Sequence, residues 1–353
     1  MLFAFFVMKR INQIALAAAV TVGLCGNFTA YGEGAGEPVA VMIVIGQSNA
    51  DGSAFANDSI DSEMLRWYES SQNPRTMRIW YRSTVVENQP PDENGESMRH
   101  AVDGKIEDAA PGWMELWFRN ENRSGRTAMN MIHGYGTYSE GTGPDCAQGR
   151  RGMEGAFGRR FATVYPDVPL YIIKLGVSGS SIKTWTDDGA DVNWRYFYDK
   201  MYRPAIASLL AAGKEPGLAG IWWMQGCGDG FNPQSYYEPR LRKLIDRCRD
   251  SLGFESPHIY IGHILAPGES AKYPAGSVQY GPGVRAAQDA VAASTDGVET
   301  VDVSDVSFQY EDPFKGYLHF SHEGVNRIAD KLFERIEVEG PEGWSCFKGL
   351  VDF

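Results

Sequence analysis

The chain is predicted to be an α/β protein, a three-layer α/β/α sandwich around a five-stranded parallel sheet. Five short apolar runs, at 39–45, 170–175, 219–224, 258–264 and 299–303, are near-continuous in Val, Ile, Leu and Trp. Strands covered on both faces read this way, whereas half-exposed strands alternate. Helical patterns separate the runs, and strands alternating with helices imply a parallel sheet between helix layers. With 353 residues, 43% of them hydrophobic, the chain can bury one large core.

The first 32 residues are expected to lie outside that core. Lys9 and Arg10 are followed by an apolar run at 14–24, and Ala30-Tyr31-Gly32 places small residues where a signal peptidase reads them. The run falls short of the roughly 20 residues that cross a bilayer. Residues 1–32 therefore read as a cleaved signal peptide and 33–353 as a single domain of a secreted or periplasmic protein. Leu24 before Cys25 is too bulky for a lipoprotein cleavage site.

The first strand, 39–45, runs straight into Gly46-Gln47-Ser48-Asn49-Ala50-Asp51-Gly52. A serine just past a strand's carboxyl end, flanked by glycines, sits where open α/β sheets bind ligands. Residues 57–150 break the strand–helix rhythm. They are rich in Asn, Gly, Arg and aromatics, with Trp67, Trp80, Trp113 and Trp117 among them. This segment is expected to be an insertion over the sheet edge whose aromatics either pack or stack on sugar rings. Helices are expected at 204–212, 236–252 and 283–293. The clearest lies at the end, where Val325, Ile328, Ala329, Leu332, Phe333 and Ile336 repeat at helical spacing behind Ser321 as cap.

Because the sheet is parallel, Ser48, Gly179, Gln225 and His319 all follow strands and converge on its carboxyl edge. A serine and a histidine meeting there suit nucleophilic acyl transfer. The formal net charge of −12 disfavours nucleic acid and anionic membranes as partners, and a hydroxyl-rich neutral substrate is compatible with it. Cys146, Cys227, Cys248 and Cys346 remain after removal of the leader. They permit one or two disulfides and match no zinc spacing. His322, three residues after His319, has no carboxylate cluster at ligand spacing and reads as solvent-exposed or substrate-side; no metal or other cofactor is expected. His263 closes the fourth predicted strand at the cleft border.

Five ordered blocks are Gly46-Gln47-Ser48-Asn49, Met153-Glu154-Gly155-Ala156-Phe157-Gly158, residues 174–182, Trp223-Met224-Gln225-Gly226-Cys227-Gly228-Asp229 and His319-Phe320-Ser321-His322-Glu323-Gly324. Together they resemble the sialate O-acetylesterase and acetylxylan esterase branch of the SGNH hydrolases, whose fold is flavodoxin-like. In order, they are similar to that family's nucleophile block, its Gly-Pro-Glu-x-x-Phe helix start, its lysine, glycine and hydroxyl block, its Trp-x-Gln-Gly-Glu-x-Asp block and its histidine block. The resemblance implies a serine esterase that removes O-acetyl groups from a carbohydrate, with Ser48 as nucleophile and His319 as base. It implies an oxyanion hole of the Ser48 and Gly179 backbone N–H groups and the Gln225 side-chain amide, although Gln225 also suits a purely structural role. The family places Asp three residues before the histidine, where this chain has Gly316; Asp312 is the carboxylate chosen in its stead. Glu311, the more distant Asp305, or a backbone carbonyl are the alternatives. Cys227 stands where the family has Glu; a disulfide, for instance to Cys146, would brace that loop, and a buried free thiol is the alternative. A short-chain lipase or thioesterase, and a catalytically silent sugar-binding protein, are the competing readings.

Overall fold

The computed structural model describes residues 36–52, 54–55, 58–81, 113–116, 150–177, 179–264, 281–306 and 319–349. Its strands are β1 (Glu37–Gly46), β2 (Ala54–Phe55), β3 (Met77–Tyr81), β4 (Trp113–Glu115), β5 (Arg150–Arg151), β6 (Leu170–Gly176), β7 (Lys214–Met224), β8 (Ile259–Gly262), β9 (Val298–Val301) and β10 (Ser345–Cys346). Its α-helices are α1 (Ser48–Asp51), α2 (Asp58–Glu69), α3 (Glu154–Val164), α4 (Lys183–Thr186), α5 (Val192–Arg195), α6 (Arg203–Ala211), α7 (Gln234–Ser251), α8 (Pro282–Ser294) and α9 (His322–Glu339).

Among the described residues one sheet has the order β4-β3-β6-β1-β7-β8-β9, with β10 against the start of β7. The five predicted strands are β1, β6, β7, β8 and β9, and they form the continuous parallel centre. Their side chains alternate between two apolar clusters, one per face. Val41, Ile43 and Ile45 of β1 enter the first, and Ala40, Met42 and Val44 enter the second. That two-sided burial is why these runs carry no polar alternation.

The region read as an insertion is partly sheet. β3 pairs in parallel with β6, from Met77 opposite Leu170 to Tyr81 opposite Lys174, and β4 pairs antiparallel with β3. In β3, Met77 and Ile79 enter the second apolar cluster and Trp80 the first, while Arg78 between them is only half-buried. Helix α2 precedes it. Trp67 and Trp80 are buried, while Trp113 meets Trp80 and Tyr171 edge-on and donates to Ser208 Oγ at 2.7 Å. These three indoles therefore pack within the fold; Trp117 lies outside the described residues.

The predicted helices are α6, α7, α8 and α9, each within two or three residues of its expected bounds. The Ser321 hydroxyl accepts from Gly324 N at 3.0 Å, the expected cap. Cys248 is buried and Cys346 exposed, and neither is in a disulfide. Cys227 is half-buried against the core, and Cys146 lies outside the described residues.

Candidate active site

The nucleophile loop is built by close backbone approach between β1 and β7. Gly46 has φ +145°, and a Cβ there would lie 2.2 Å from the Met224 carbonyl oxygen. Gln47 N then donates to that same oxygen at 2.9 Å. The chain turns at once into α1, which begins at Ser48 and ends on Gly52, left-handed with its N–H donating to Ser48 O. Ser48 is thereby carried to the carboxyl edge of the central strand, 5% exposed.

His319 meets it from the other end of the sequence. Its Nε2 lies 3.0 Å from Ser48 Oγ, across 271 residues. Two neighbours fix the histidine: Phe320 is buried in the second apolar cluster, and Ser321 caps α9. The ring nitrogen is thus within hydrogen-bond reach of the hydroxyl whose proton it would take. Residues 307–318, with Gly316, Asp312 and Glu311, lie outside the described residues. Asp305 is described and is committed elsewhere: it pairs with Lys331, which holds its carboxyl below the usual value.

Gly179, with φ +67°, sits on the loop after β6, and the loop after β7 presses on it. A Cβ on Gly228 would lie 2.6 Å from Ser180 O and 3.1 Å from Gly179 O, so only glycine allows this contact. Gln47 joins in from the nucleophile side. Its Oε1 accepts from Gly226 N at 3.2 Å and Gly228 N at 3.1 Å.

Gln225 departs from the oxyanion role that the resemblance implies. It is fully buried, and its Nε2 donates to Ser180 O and to Asp229 Oδ2, each at 2.8 Å. The amide's two hydrogens are then spent, leaving none for an oxyanion. Its Oε1 accepts from the Tyr237 hydroxyl at 2.8 Å. Burial pushes that hydroxyl well above its usual value, so it stays protonated and donates. Gln225 is placed as a brace, the structural alternative to the oxyanion role.

Asp229 is the partner that claims it. This buried carboxylate accepts from Ser181 Oγ at 2.6 Å, Ile182 N at 2.6 Å, Gln225 Nε2 at 2.8 Å and Asn232 Nδ2 at 3.1 Å. It fastens the loop after β6 to the loop after β7. In sequence Asp229 closes a block without a task of its own, and its position four residues after Gln225 is the available signal. Gln47 and Tyr237 carry no such signal: Gln47 sits beside the conspicuous serine, and Tyr237 resembles an ordinary core aromatic.

A buried ion pair stands beneath. Lys174, opposite Val44 of β1, places Nζ 2.5 Å from Glu154 Oε1, and both side chains are fully buried. Burial pushes the Glu154 carboxyl up, and the ammonium offsets part of that rise. The pair ties the first turn of α3 to the strand that leads to Gly179.

Residues 38–337 match the family described as carbohydrate esterase, sialic acid-specific acetylesterase. The chain belongs to this family. It is therefore a carboxylic ester hydrolase, a carbohydrate acetylesterase whose substrate class is acetylated carbohydrate. Among solved structures the esterase is similar to a protein from Arabidopsis thaliana, at 16% identity and a TM-score of 0.50, over 85% of this chain and 98% of that one. NanS gives 15% identity and a TM-score of 0.48, over 86% of this chain and 98% of that one. A carbohydrate acetylesterase from Xanthomonas citri gives 15% and 0.48, over 85% of this chain and 57% of that one. No curated protein matches the esterase in sequence.

The other histidines take their own places. His322 opens α9 and is buried, which corrects the solvent-exposed position expected as one alternative for it. The apolar face of α9 and buried Phe320 draw it inward with the helix start. His263, just past β8, is buried with Nε2 2.7 Å from Asp289 Oδ1. Among the described residues no group of three His, Cys, Asp or Glu is placed to hold a metal ion. Among them, too, no helix is long and apolar enough to cross a membrane.

Proposed function

We propose that the esterase works through an acetyl-enzyme on Ser48, with His319 as general base and then general acid, on O-acetylated polysaccharide or a sialic-acid-like sugar. The observation that carries this reading is the 3.0 Å approach of His319 Nε2 to Ser48 Oγ at the carboxyl edge of the sheet. Neutral His319 takes the Ser48 proton as Oγ attacks the acetyl carbonyl. The tetrahedral oxyanion is met by the backbone N–H groups of Ser48 and Gly179. Gln225 contributes by holding the Gly179 loop in place through Ser180 O. Collapse breaks the bond to the sugar oxygen, which leaves with the proton from Nε2. Water, deprotonated by the same nitrogen, then attacks the acetyl-serine; the bond to Ser48 Oγ breaks, Oγ takes the proton back from Nε2, and acetate is released.

We also propose export, with residues 1–32 as the cleaved leader, on the strength of Lys9, Arg10, the apolar run at 14–24 and Ala30-Tyr31-Gly32. The N-terminal sequence of the protein recovered outside the cytoplasm tests this, and a retained 14–24 run contradicts it.

The catalytic proposal is tested by acetate release from acetylated xylan and from acetylated sialic acid. Ser48→Ala is expected to abolish it on whichever substrate the wild type turns over. In wild type, kcat/KM is expected to fall as pH drops from mildly alkaline to mildly acid, because the protonated ring accepts no proton. A rate in Ser48→Ala equal to that of wild type, or a profile flat across that range, overturns the assignment.

A further inference from the structure

Gln47, the residue before the nucleophile, is buried at the start of α1. Its backbone is engaged on both sides. Its N donates to Met224 O at 2.9 Å, and its O accepts from Ala50 N at 2.8 Å and Asp51 N at 2.9 Å. The side chain leaves this turn and crosses to the loop after β7. There Gly226 N and Gly228 N converge on a single oxygen, Oε1, at 3.2 and 3.1 Å. Two backbone N–H groups aimed at one point favour an anion. The occupant is instead a neutral amide oxygen.

That contact joins the two halves of the oxyanion hole. On one side, Gln47 is bonded to Ser48 through the peptide that carries Ser48 N. On the other, Gly228 backs onto the Gly179 loop, so closely that a Cβ on it would lie 2.6 Å from Ser180 O and 3.1 Å from Gly179 O. Gln225 and Asp229 fasten the loops after β6 and β7 to each other. The Gln47 side chain fastens that assembly to the nucleophile.

A carboxylate of the same length would take the two N–H groups more strongly, because charge-assisted hydrogen bonds are the stronger kind. It would also set a negative charge within about 10 Å, by chain reach, of the oxyanion that forms on Ser48. Like charges at that range, in a cleft partly shielded from water, oppose the transition state.

Resting on the esterase reading above, we propose that Gln47 is a positioning residue for the oxyanion hole. Its amide oxygen sets the separation of the Ser48 and Gly179 N–H donors, and catalysis requires that acceptor to be neutral. Gln47 makes no bond to the substrate. Its length reaches both glycines, and its lack of charge leaves the oxyanion to the two donors.

The test measures kcat and KM for acetate release from an aryl acetate in wild type, Gln47→Glu, Gln47→Met and Ser48→Ala, below every Tm. Both halves of the acetyl-enzyme route pass through an oxyanion, so kcat responds whichever half is slower. Gln47→Met loses the acceptor and Gln47→Glu loses neutrality. Each is expected to lower kcat roughly ten- to a hundredfold with KM little changed. Wild-type kcat in either folded variant overturns the proposal, as does a loss carried by KM alone. Affinity for methylboronic acid, which adds to a serine hydroxyl as a tetrahedral anion, needs no turnover. Weaker binding in Gln47→Glu supports the proposal, and unchanged binding overturns it. Ser48→Ala separates the two readings. Acetate release that persists without the serine overturns the nucleophile and this proposal together, whereas an inert Ser48→Ala beside fully active Gln47 variants overturns the role of Gln47 alone.

Discussion

Replacing Asp229 by alanine tests the way the site is held together. The carboxylate accepts four hydrogen bonds, and two of their donors, Ile182 N and Gln225 Nε2, are buried. Each buried donor left without a partner costs roughly 1–3 kcal/mol, so Asp229→Ala should destabilise by about 2–6 kcal/mol. One kcal/mol moves the midpoint by about 2 °C in a domain of this size, which gives a fall in Tm of roughly 4–12 °C. The activity loss should exceed what stability alone explains. Ile182 and Ser181 are the anchors of the loop that carries Gly179, and a misplaced oxyanion donor costs about a hundredfold in rate. Calorimetry gives the midpoint, and acetate release measured well below the mutant's Tm gives the rate. A variant with wild-type Tm and wild-type kcat would refute the reasoning, because the loop would then hold its place without the carboxylate.

Three further outcomes follow from the same contacts. Gln225→Leu should lower Tm and kcat together, since it strips a donor from Ser180 O and Asp229 and an acceptor from Tyr237; a fall in kcat at unchanged Tm would return Gln225 to the oxyanion hole. Lys174→Met leaves Glu154 buried without its cation and should cost about 3–5 kcal/mol. Because burial raises the Glu154 carboxyl, the folded state holds that proton more tightly than the unfolded chain, so the variant's stability should fall as pH rises above the usual carboxylate value. Denaturant midpoints at several pH values check both points, and a pH-independent loss contradicts the pH dependence. Finally, Cys346 is exposed and should react readily with a thiol reagent at pH 8. Cys248, buried with its thiol pushed up to about 12, should react only on unfolding; mass spectrometry of the labelled peptides distinguishes them.

The parallel centre of the sheet is legible in the sequence because burial on both faces leaves no polar alternation to confuse it, as Val39 to Ile45 illustrate. β3 is not, because Arg78 interrupts it and the surrounding Trp and Arg residues resemble a surface insertion. β10 is hidden because Ser345-Cys346 is too short to carry any period and exists only through pairing with Gly217 and Leu218. The serine and histidine can be placed together because a parallel sheet delivers both to one edge. The task of Gln225 cannot be read the same way. A side-chain amide after a strand points equally well into a cleft or into a loop, and only the position of Asp229 and Tyr237 decides between them. The burial of His322 is hidden for a related reason, since spacing within a block does not say which side of α9 meets the core.

The central claim is that Ser48 carries the acetyl group. Wild-type esterase mixed with excess acetylated substrate, quenched in acid within the first turnovers and digested, should yield the peptide containing Ser48 heavier by one acetyl group. His319→Ala should yield far less of it, and Ser48→Ala none. An acetyl group on another residue, or rapid acetate release by Ser48→Ala, would contradict the account.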